Sequence, residues 1–366
     1  MKKIKIFGHP WHIGHQHSLI TALPEYNFYY ILDRFRPWKT ENRPIPKNLY
    51  FVEHYEPGTY DLAILHIDQQ CLHDNKKAMP YNILDKQIED IPKIVINHGT
   101  PHFLDKDQKD LSDEMREKIG NNLMIINSEE ARREWGFGRT IIHGINSNEF
   151  KPARKKENRI ITTLSPSYDI TKDGWAQYYN RKFFAEVKEK INIVHVGHDI
   201  KFENFDSYRK YLAESLVYFN PTLHSPMPRG RTEAMLSGCC IVSTPYHDWG
   251  KYIIDGKNGF LISGQDVGEA VKILEWCRRN PSKTQKIGME GRRTAMQFFS
   301  VERYRKDWVN LIEEVLRGGI ITSEVKELRK QIEDIVYLIP GAEISSHWQG
   351  VLNNILENFS KKITKL

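Results

Sequence analysis

Short apolar runs alternate with helical patterns from Ile4 to Leu316, and this alternation constrains the fold more than any other feature. The runs Ile4–Phe7, Phe28–Leu32, Tyr50–Val52, Leu62–Ile67, Ile94–Asn97, Leu123–Asn127 and Thr140–His143 read as strands. Helical patterns such as Ser18–Leu23 and Glu129–Trp135 fall between several of them. A parallel strand needs a long crossover to reach its neighbour, and a helix supplies it. A polar, basic stretch from Lys151 to Arg159 then interrupts the pattern and, with Pro152, reads as a linker. The alternation restarts with strands at Ile160–Leu164, Ile193–Val196, Leu216–Phe219, Ile241–Thr244 and Gly259–Ile262. Helices are expected near Lys172–Lys190, Phe205–Ala213, Gln265–Arg279, Ser282–Phe298 and Val301–Leu316, the last with Ser300 as N-cap. The expected fold is α/β: two facing Rossmann-like, doubly wound parallel-sheet domains, residues 1–152 and 153–317. Ligands in such folds bind at the carboxyl ends of the strands, so the facing ends form a cleft.

Residues 318–366 read as a helical extension. Val325, Leu328, Ile332, Ile335 and Val336 have helical spacing, Pro340-Gly341 breaks the pattern, and Ile344–Phe359 is a second amphipathic stretch followed by Lys361, Lys362 and Lys365. These helices suit packing on the domains or on a partner subunit in a homo-oligomer. The alternative is peripheral contact with a membrane surface.

At 366 residues two domains are expected, and a hydrophobic content of 40% is ample for both cores. No apolar run approaches the roughly 18–20 residues that span a bilayer. The start, M-K-K-I-K-I-F-G, reads as a first strand and not a signal peptide. Cys71, Cys239, Cys240 and Cys277 show no metal-site spacing and read as reduced core residues of a cytoplasmic protein. A net charge of +6 is mild for this length. It fits acidic small molecules, and there is no basic stripe with interleaved aromatics of the kind nucleic acid requires.

The richest segment is Ser225 to Pro245, S-P-M-P-R-G-R-T-E-A-M-L-S-G-C-C-I-V-S-T-P. Two arginines flank Gly230 and a short helix is expected to follow at once, its start near Gly230, with Glu233 in its first turn, Gly238 as its stop and a buried strand from Cys239 to Thr244. A helix start carries unpaired N–H groups and partial positive charge. Arg229 and Arg231 beside it make a seat for phosphate, and Gly230 lets the backbone come close. Glu233 would repel phosphate but suits the hydroxyls of a ribose. Phosphate with ribose means a nucleotide. The plainer alternative is an acid complementing a helix dipole between two solvated arginines.

In this setting the chain resembles the family-4 retaining glycosyltransferases of GT-B architecture, over roughly Lys2 to Leu316. The matching pieces occur in order: G-H-P-W-H-I-G-H-Q-H after the first strand, N-H-G-T from Asn97 to Thr100, I-I-H-G-I-N-S-N-E-F-K-P from Ile141 to Pro152, T-K-D-G from Thr171 to Gly174, R-T-E-A-M-L-S-G, and D-G-K-N-G-F-L-I from Asp255 to Ile262. The resemblance implies a donor site of Lys172, Ser225, Arg229, Gly230, Arg231, Thr232 and Glu233. Gly14, His15 and His17 fall in its acceptor-side loop, and His98 is its catalytic candidate. It also implies retention of anomeric configuration, by front-face attack with the leaving phosphate helping to deprotonate the acceptor. Three departures stand out. Ser225 replaces a glutamate that contacts the donor sugar in the family. Asn146 stands where an aspartate is usual. The arginine expected shortly before Lys172 is absent, with Ser165, Pro166, Ser167 and Tyr168 in its place. At Ser225 the serine holds the sugar more weakly, a neighbour takes over, or donor choice differs.

Sugar transfer requires the departing diphosphate to be stabilised as it gains charge. Lys172, Arg229, Arg231 and the helix start would do so without a metal or other cofactor, the nucleotide sugar being a co-substrate of undetermined base. His98 follows a strand and is expected at the cleft rim, against the reading of a structural hydrogen-bonder. His66 and Asp68 end the preceding strand and either line the cleft or serve as packing and capping groups. His9, His12, His15 and His17 invite a zinc reading, but the spacing fits no standard site. They and Trp11 are expected to face the acceptor, with a buried Trp11 as the alternative. His247 and Asp248 follow the strand after the donor helix, near the diphosphate. The expected function is glycosyl transfer from a nucleotide sugar to a glycan, lipid-linked or protein hydroxyl. The alternatives are a non-catalytic nucleotide-sugar binding or assembly subunit, and a nucleotide-sugar epimerase on the same architecture.

Overall fold

The computed structural model describes residues 3–32, 37–72, 79–102, 107–164 and 178–318. A first parallel sheet of seven strands is ordered β3-β2-β1-β4-β5-β6-β7. Its strands are β1 Lys5–Gly8, β2 Asn27–Ile31, β3 Leu49–Val52, β4 Leu62–Ile67, β5 Lys93–Asn97, β6 Leu123–Ile126 and β7 Arg139–Thr140. Helices α1 Ile13–Ala22, α2 Met79–Gln87, α3 Gln108–Ile119 and α4 Glu129–Trp135 fall between them. A second parallel sheet is ordered β12-β11-β10-β8-β9. It holds β8 Glu157–Thr162, β9 Val194–His195, β10 Ser215–Asn220, β11 Cys240–Ser243 and β12 Phe260–Leu261. Its helices are α5 Arg181–Lys190, α6 Phe205–Glu214, α7 Arg229–Leu236, α8 Trp249–Tyr252, α9 Val267–Arg279 and α10 Pro281–Phe298. Residues 301–318 are helical. Contacts divide the chain into Met1–Trp308, which contains both sheets, and Val309–Leu366.

The central strands show why the sequence folds this way. β4 and β10 are buried at every position, as a strand covered by helices on both faces must be. The edge strand β3 leaves Tyr50 45% exposed. The second sheet separates two apolar layers. Ile161, Tyr218, Met235 and Ile241 pack on one face, and Ile160, Val217, Val242 and Leu274 on the other.

Strand positions follow the expected runs, with differences at the edges. Thr140–His143 forms a strand only at its start, and Ile193–Val196 only at Val194–His195, each at an edge of its sheet. β8 instead begins inside the expected linker. Its polar residues are held there: Ser215 pairs with Glu157 in the ladder, and the Arg159 guanidinium lies 3.5 Å over the Tyr211 ring. The loop expected after β1 is largely helical, since α1 starts at Ile13, placing Gly14, His15 and His17 on a helix. The helices expected at Ser323–Ile339 and Ile344–Phe359, with the oligomer and membrane contacts hung on them, lie outside the described residues, as does Lys172.

Candidate functional site

Chain order reverses between β1 and β4 in the first sheet and between β8 and β10 in the second. Connections diverge at such points and leave a crevice at the carboxyl ends of the strands. α7 is seated at the second crevice. A Cβ on Gly230 would lie 2.1 Å from Thr163 Oγ1 and 2.9 Å from Tyr218 Oη, two hydroxyls themselves 2.5 Å apart. Gly230 therefore lets α7 close on β8 and β10. The close approach expected to serve a ligand serves the protein.

Pro228 is the N-cap of α7, so Arg229 opens the helix and Glu233 lies in its second turn, not its first. That i,i+4 spacing brings Arg229 Nε to 2.7 Å from Glu233 Oε1. Arg43, from the segment between β2 and β3, donates through Nη2 to the same oxygen. Tyr208 Oη donates to Oε2 at 2.9 Å. The Arg43 guanidinium is 4.0 Å from the Phe205 ring centre. Glu233 is 2% exposed and Arg43 7%. Burial pushes the Glu233 carboxyl up, but Arg43 and Arg229 outweigh it and hold the carboxyl below its ordinary value. A carboxylate has about four acceptor positions, and these three donors leave one.

The two arginines of α7 point in different directions. Arg229 runs toward α1, where a Cβ on Gly14 would lie 3.0 Å from its Cδ; the bare glycine makes room for it. Its Nη1 and Nη2 are buried and have no hydrogen-bond partner among the described residues. Arg231 turns beneath the helix, donates to Ser243 Oγ at 2.7 Å and stacks 3.8 Å over Trp249. Its Nε and Nη2 are likewise buried without a hydrogen-bond partner among the described residues. Burial lowers the pKa of both arginines, Arg231 well below its ordinary value. Thr232 Oγ1 lies 2.9 Å from His143 Nε2. Ser225 is half-buried in the loop before α7.

Across the cleft, imidazoles gather at the ends of β1, β4 and β5. His98 Nε2 is 3.0 Å from His66 Nδ1, with the rings stacked. The His12 and His15 rings lie 4.8 and 5.4 Å from His98, and His143 lies 5.5 Å from His15. The His66 N–H donates to His9 Nε2 at 3.1 Å. Burial drives His15, His98 and His143 well below the usual imidazole range, and nearby cations and imidazoles push the same way. They are neutral at neutral pH. A cavity of about 20 Å³, room for a water-sized guest, is bordered by His15, His66, His98, Asn127, His143 and Tyr304.

The acceptor-side residues do not share one surface. Gly14 faces Arg229, His15 faces His98 and His143, and His17 faces Phe205. His17 is lowered to about 3 by burial and by Arg229 and Arg43. Trp11 is 6% exposed, edge-on to His9, so the buried alternative holds. Asp68 Oδ1 accepts from Gln70 N at 2.8 Å, a local capping contact. At the other rim, Thr100 Oγ1 donates to the His224 carbonyl at 2.9 Å. Asp248 Oδ2 caps the start of α4, accepting from Ser128 Oγ at 3.0 Å and Glu129 N at 2.6 Å.

Arg43, Tyr208 and His143 belong to the site and were not singled out in the sequence. Arg43 sits in W-K-T-E-N-R-P-I-P, which has no periodicity and no motif. Tyr208 looks like an ordinary helix residue. His143 had a signal, in I-I-H-G-I-N, but nothing tied it to Thr232, 89 positions away.

Residues 176–279 match the family model described as glycosyl transferases group 1. No curated protein matches the sequence significantly. Among solved structures, a sucrose-phosphate synthase from Thermosynechococcus elongatus is similar at TM-score 0.63 and 12% identity, over 86% of this chain and 100% of that one. HepE from Anabaena, in complex with UDP-glucose, is similar at TM-score 0.61 and 16% identity, over 85% and 100%. A glycosyltransferase from Rickettsia africae follows at TM-score 0.58 and 12% identity, over 86% and 99%. The chain thus has the GT-B glycosyltransferase fold of two parallel-sheet α/β domains, and part of its second half carries the group 1 sequence pattern. Among the described residues no helix is long and apolar enough to cross a membrane.

Proposed function

We propose that the protein transfers a sugar from a nucleoside-diphosphate sugar to an acceptor hydroxyl. The observation that carries this reading is Arg229. Its terminal guanidinium nitrogens are buried, without a hydrogen-bond partner among the described residues, at the start of a helix on a switch point. A buried cation without enough acceptors is costly, and a diphosphate relieves that cost. Glu233 stands one turn further on, with an acceptor position for a ribose hydroxyl. The group 1 pattern over residues 176–279 and the UDP-glucose bound by HepE support a nucleotide sugar, with UDP the first base to test.

In this reading Arg229 and Lys172 meet the charge that builds on the departing diphosphate. Arg231, bonded to Ser243 and stacked on Trp249, fixes the segment after β11 and contributes field more than contact. His98, neutral and hydrogen-bonded to His66, lies opposite and can bond the sugar through an imidazole nitrogen or its carbonyl. Transfer is retaining and proceeds without a metal on the diphosphate. Hexose is the transferred group we favour. The four free, buried cysteines fit a reducing compartment such as the cytoplasm.

Calorimetry with UDP, GDP, ADP and dTDP, followed by incubation with the matching sugar nucleotides, tests the reading. We expect one diphosphate to bind and its sugar form to release nucleotide slowly without acceptor. Absence of binding by all four refutes the proposal; binding without any turnover favours the non-catalytic alternative. Added magnesium or manganese should leave turnover unchanged.

A further inference from the structure

We propose that Glu130, Glu134 and His247 bind a divalent transition metal, zinc by their ligand chemistry, in a site separate from the Arg229–Glu233 pocket. Glu130 and Glu134 project from one face of α4 at i,i+4 spacing. His247 comes from the segment between β11 and α8. One ligand atom from each of the three lies within 4.8 Å of the others.

The independent sign of a ligand is the state of His247. It is 2% exposed, and neither Nδ1 nor Nε2 has a hydrogen-bond partner among the described residues. Its Nδ1 is 3.7 Å from Glu134 Oε2, too far for a hydrogen bond, and that buried oxygen also lacks a hydrogen-bond partner among the described residues. Two such groups facing each other gain little directly, but each would gain from a cation between them. The backbone is also held in an unfavourable form to bring the ring inward. His247 and Asp248 have φ of 54° and 69°, a left-handed conformation that side chains other than glycine adopt at a cost. Asp248 keeps it in place through its bonds to Ser128 and Glu129.

The surroundings suit a metal further. Glu130 Oε2 accepts from Asp248 N at 2.9 Å, and His102 Nε2 lies 3.2 Å from Glu134 Oε1, so both carboxylates are oriented from behind. Zinc takes nitrogen and carboxylate ligands at about 2.0–2.2 Å. Closing the group onto such a sphere takes rotation of two carboxylates. One imidazole with two carboxylates and water is a poor set for calcium or magnesium, which prefer all-oxygen shells. The ion would join the helix after β6 in the first sheet to the segment after β11 in the second. The proposal is independent of the sugar-transfer reading.

The test is calorimetric titration of the chelator-treated full chain with ZnCl2, repeated with CoCl2 while recording the visible spectrum. We expect one equivalent of zinc, a rise of a few degrees in Tm, and cobalt d–d bands of four-coordinate intensity. His247→Asn, which keeps a residue tolerant of the left-handed backbone, and Glu134→Gln should each weaken zinc at least tenfold and abolish the Tm shift. His12→Ala/His15→Ala should retain both. The proposal is overturned if the wild-type chain binds no zinc up to about 100 μM, well above the concentration at which zinc fills a built protein site. It is equally overturned if one equivalent survives in both site variants, or is lost in the His12/His15 variant, which would place it in the histidine cluster.

Discussion

Replacing Glu233 by glutamine tests the centre of the site most directly. The substitution keeps shape and removes one charge, leaving Arg43 and Arg229 buried against a neutral amide. Breaking a buried ion pair from one side costs about 3–5 kcal/mol, because the remaining charge is uncompensated. Unfolding entropy of about 2.1 cal/mol/K per residue, over the 308 residues of Met1–Trp308, gives about 0.65 kcal/mol per degree. The expected loss in Tm is then about 5–8 °C if both sheets melt together. The penalty also depends on pH. Folding depresses the Glu233 pKa below its unfolded value of 4.5, so its stabilisation is complete above that pH. It is lost as pH falls from there through the folded pKa, and the wild-type and Glu233→Gln melting curves should converge. Adding Arg43→Met should restore roughly 1–2 kcal/mol by removing one of the stranded cations. Thermal and urea melts of the three proteins between pH 3 and 8 measure all of this. A Glu233→Gln penalty under about 1 kcal/mol, or one that persists unchanged in acid, would refute the buried triad as the element joining α7 to Arg43.

Further outcomes can be checked separately. Lys172→Ala should weaken UDP about tenfold, as expected for one charge-assisted contact, and leave uridine unchanged; equal losses in calorimetry would remove its diphosphate role. Gly230→Ala forces a Cβ onto Thr163 Oγ1 and should cost about 1–3 kcal/mol in urea melts, with much of it recovered by Thr163→Ala; a neutral Gly230→Ala would mean that α7 is free to shift. His17 is lowered from 6.5 to about 3, so its folded form resists the proton that the unfolded chain takes up below pH 6.5. Wild type should therefore lose up to about 1.4 kcal/mol per pH unit more than His17→Leu as pH falls between those values; parallel pH profiles would contradict the burial. His98→Ala should lower turnover about 10²-fold or more while UDP affinity stays within a few-fold, and a loss confined to affinity would recast His98 as a binding group.

The fold was legible because its signal is local and repeated. Apolar runs such as Leu62–Ile67 must be strands covered on both faces, and helical patterns between them force parallel pairing. At two sheet edges, β7 and β9, the strands are shorter than the apolar runs Thr140–His143 and Ile193–Val196 that foretold them. The charges of Glu157–Arg159 fit a linker when read along the chain alone, but Arg159 stacks on Tyr211 and the segment starts a strand.

At the site, the sequence by itself determined the parts that depend on near neighbours. It placed a short helix at the arginines with its stop at Gly238, set Arg229 and Glu233 four residues apart, and put a histidine at the end of β5. Tertiary structure alone decided what those groups do. It sent Arg231 beneath the helix to Ser243, supplied Arg43 to Glu233 from 190 positions away, and brought His247 to Glu134 across 113 positions. Spacing along one helix fixes geometry through the helical repeat. A charge pairs with whatever the packing of two sheets delivers, and no local pattern records that encounter.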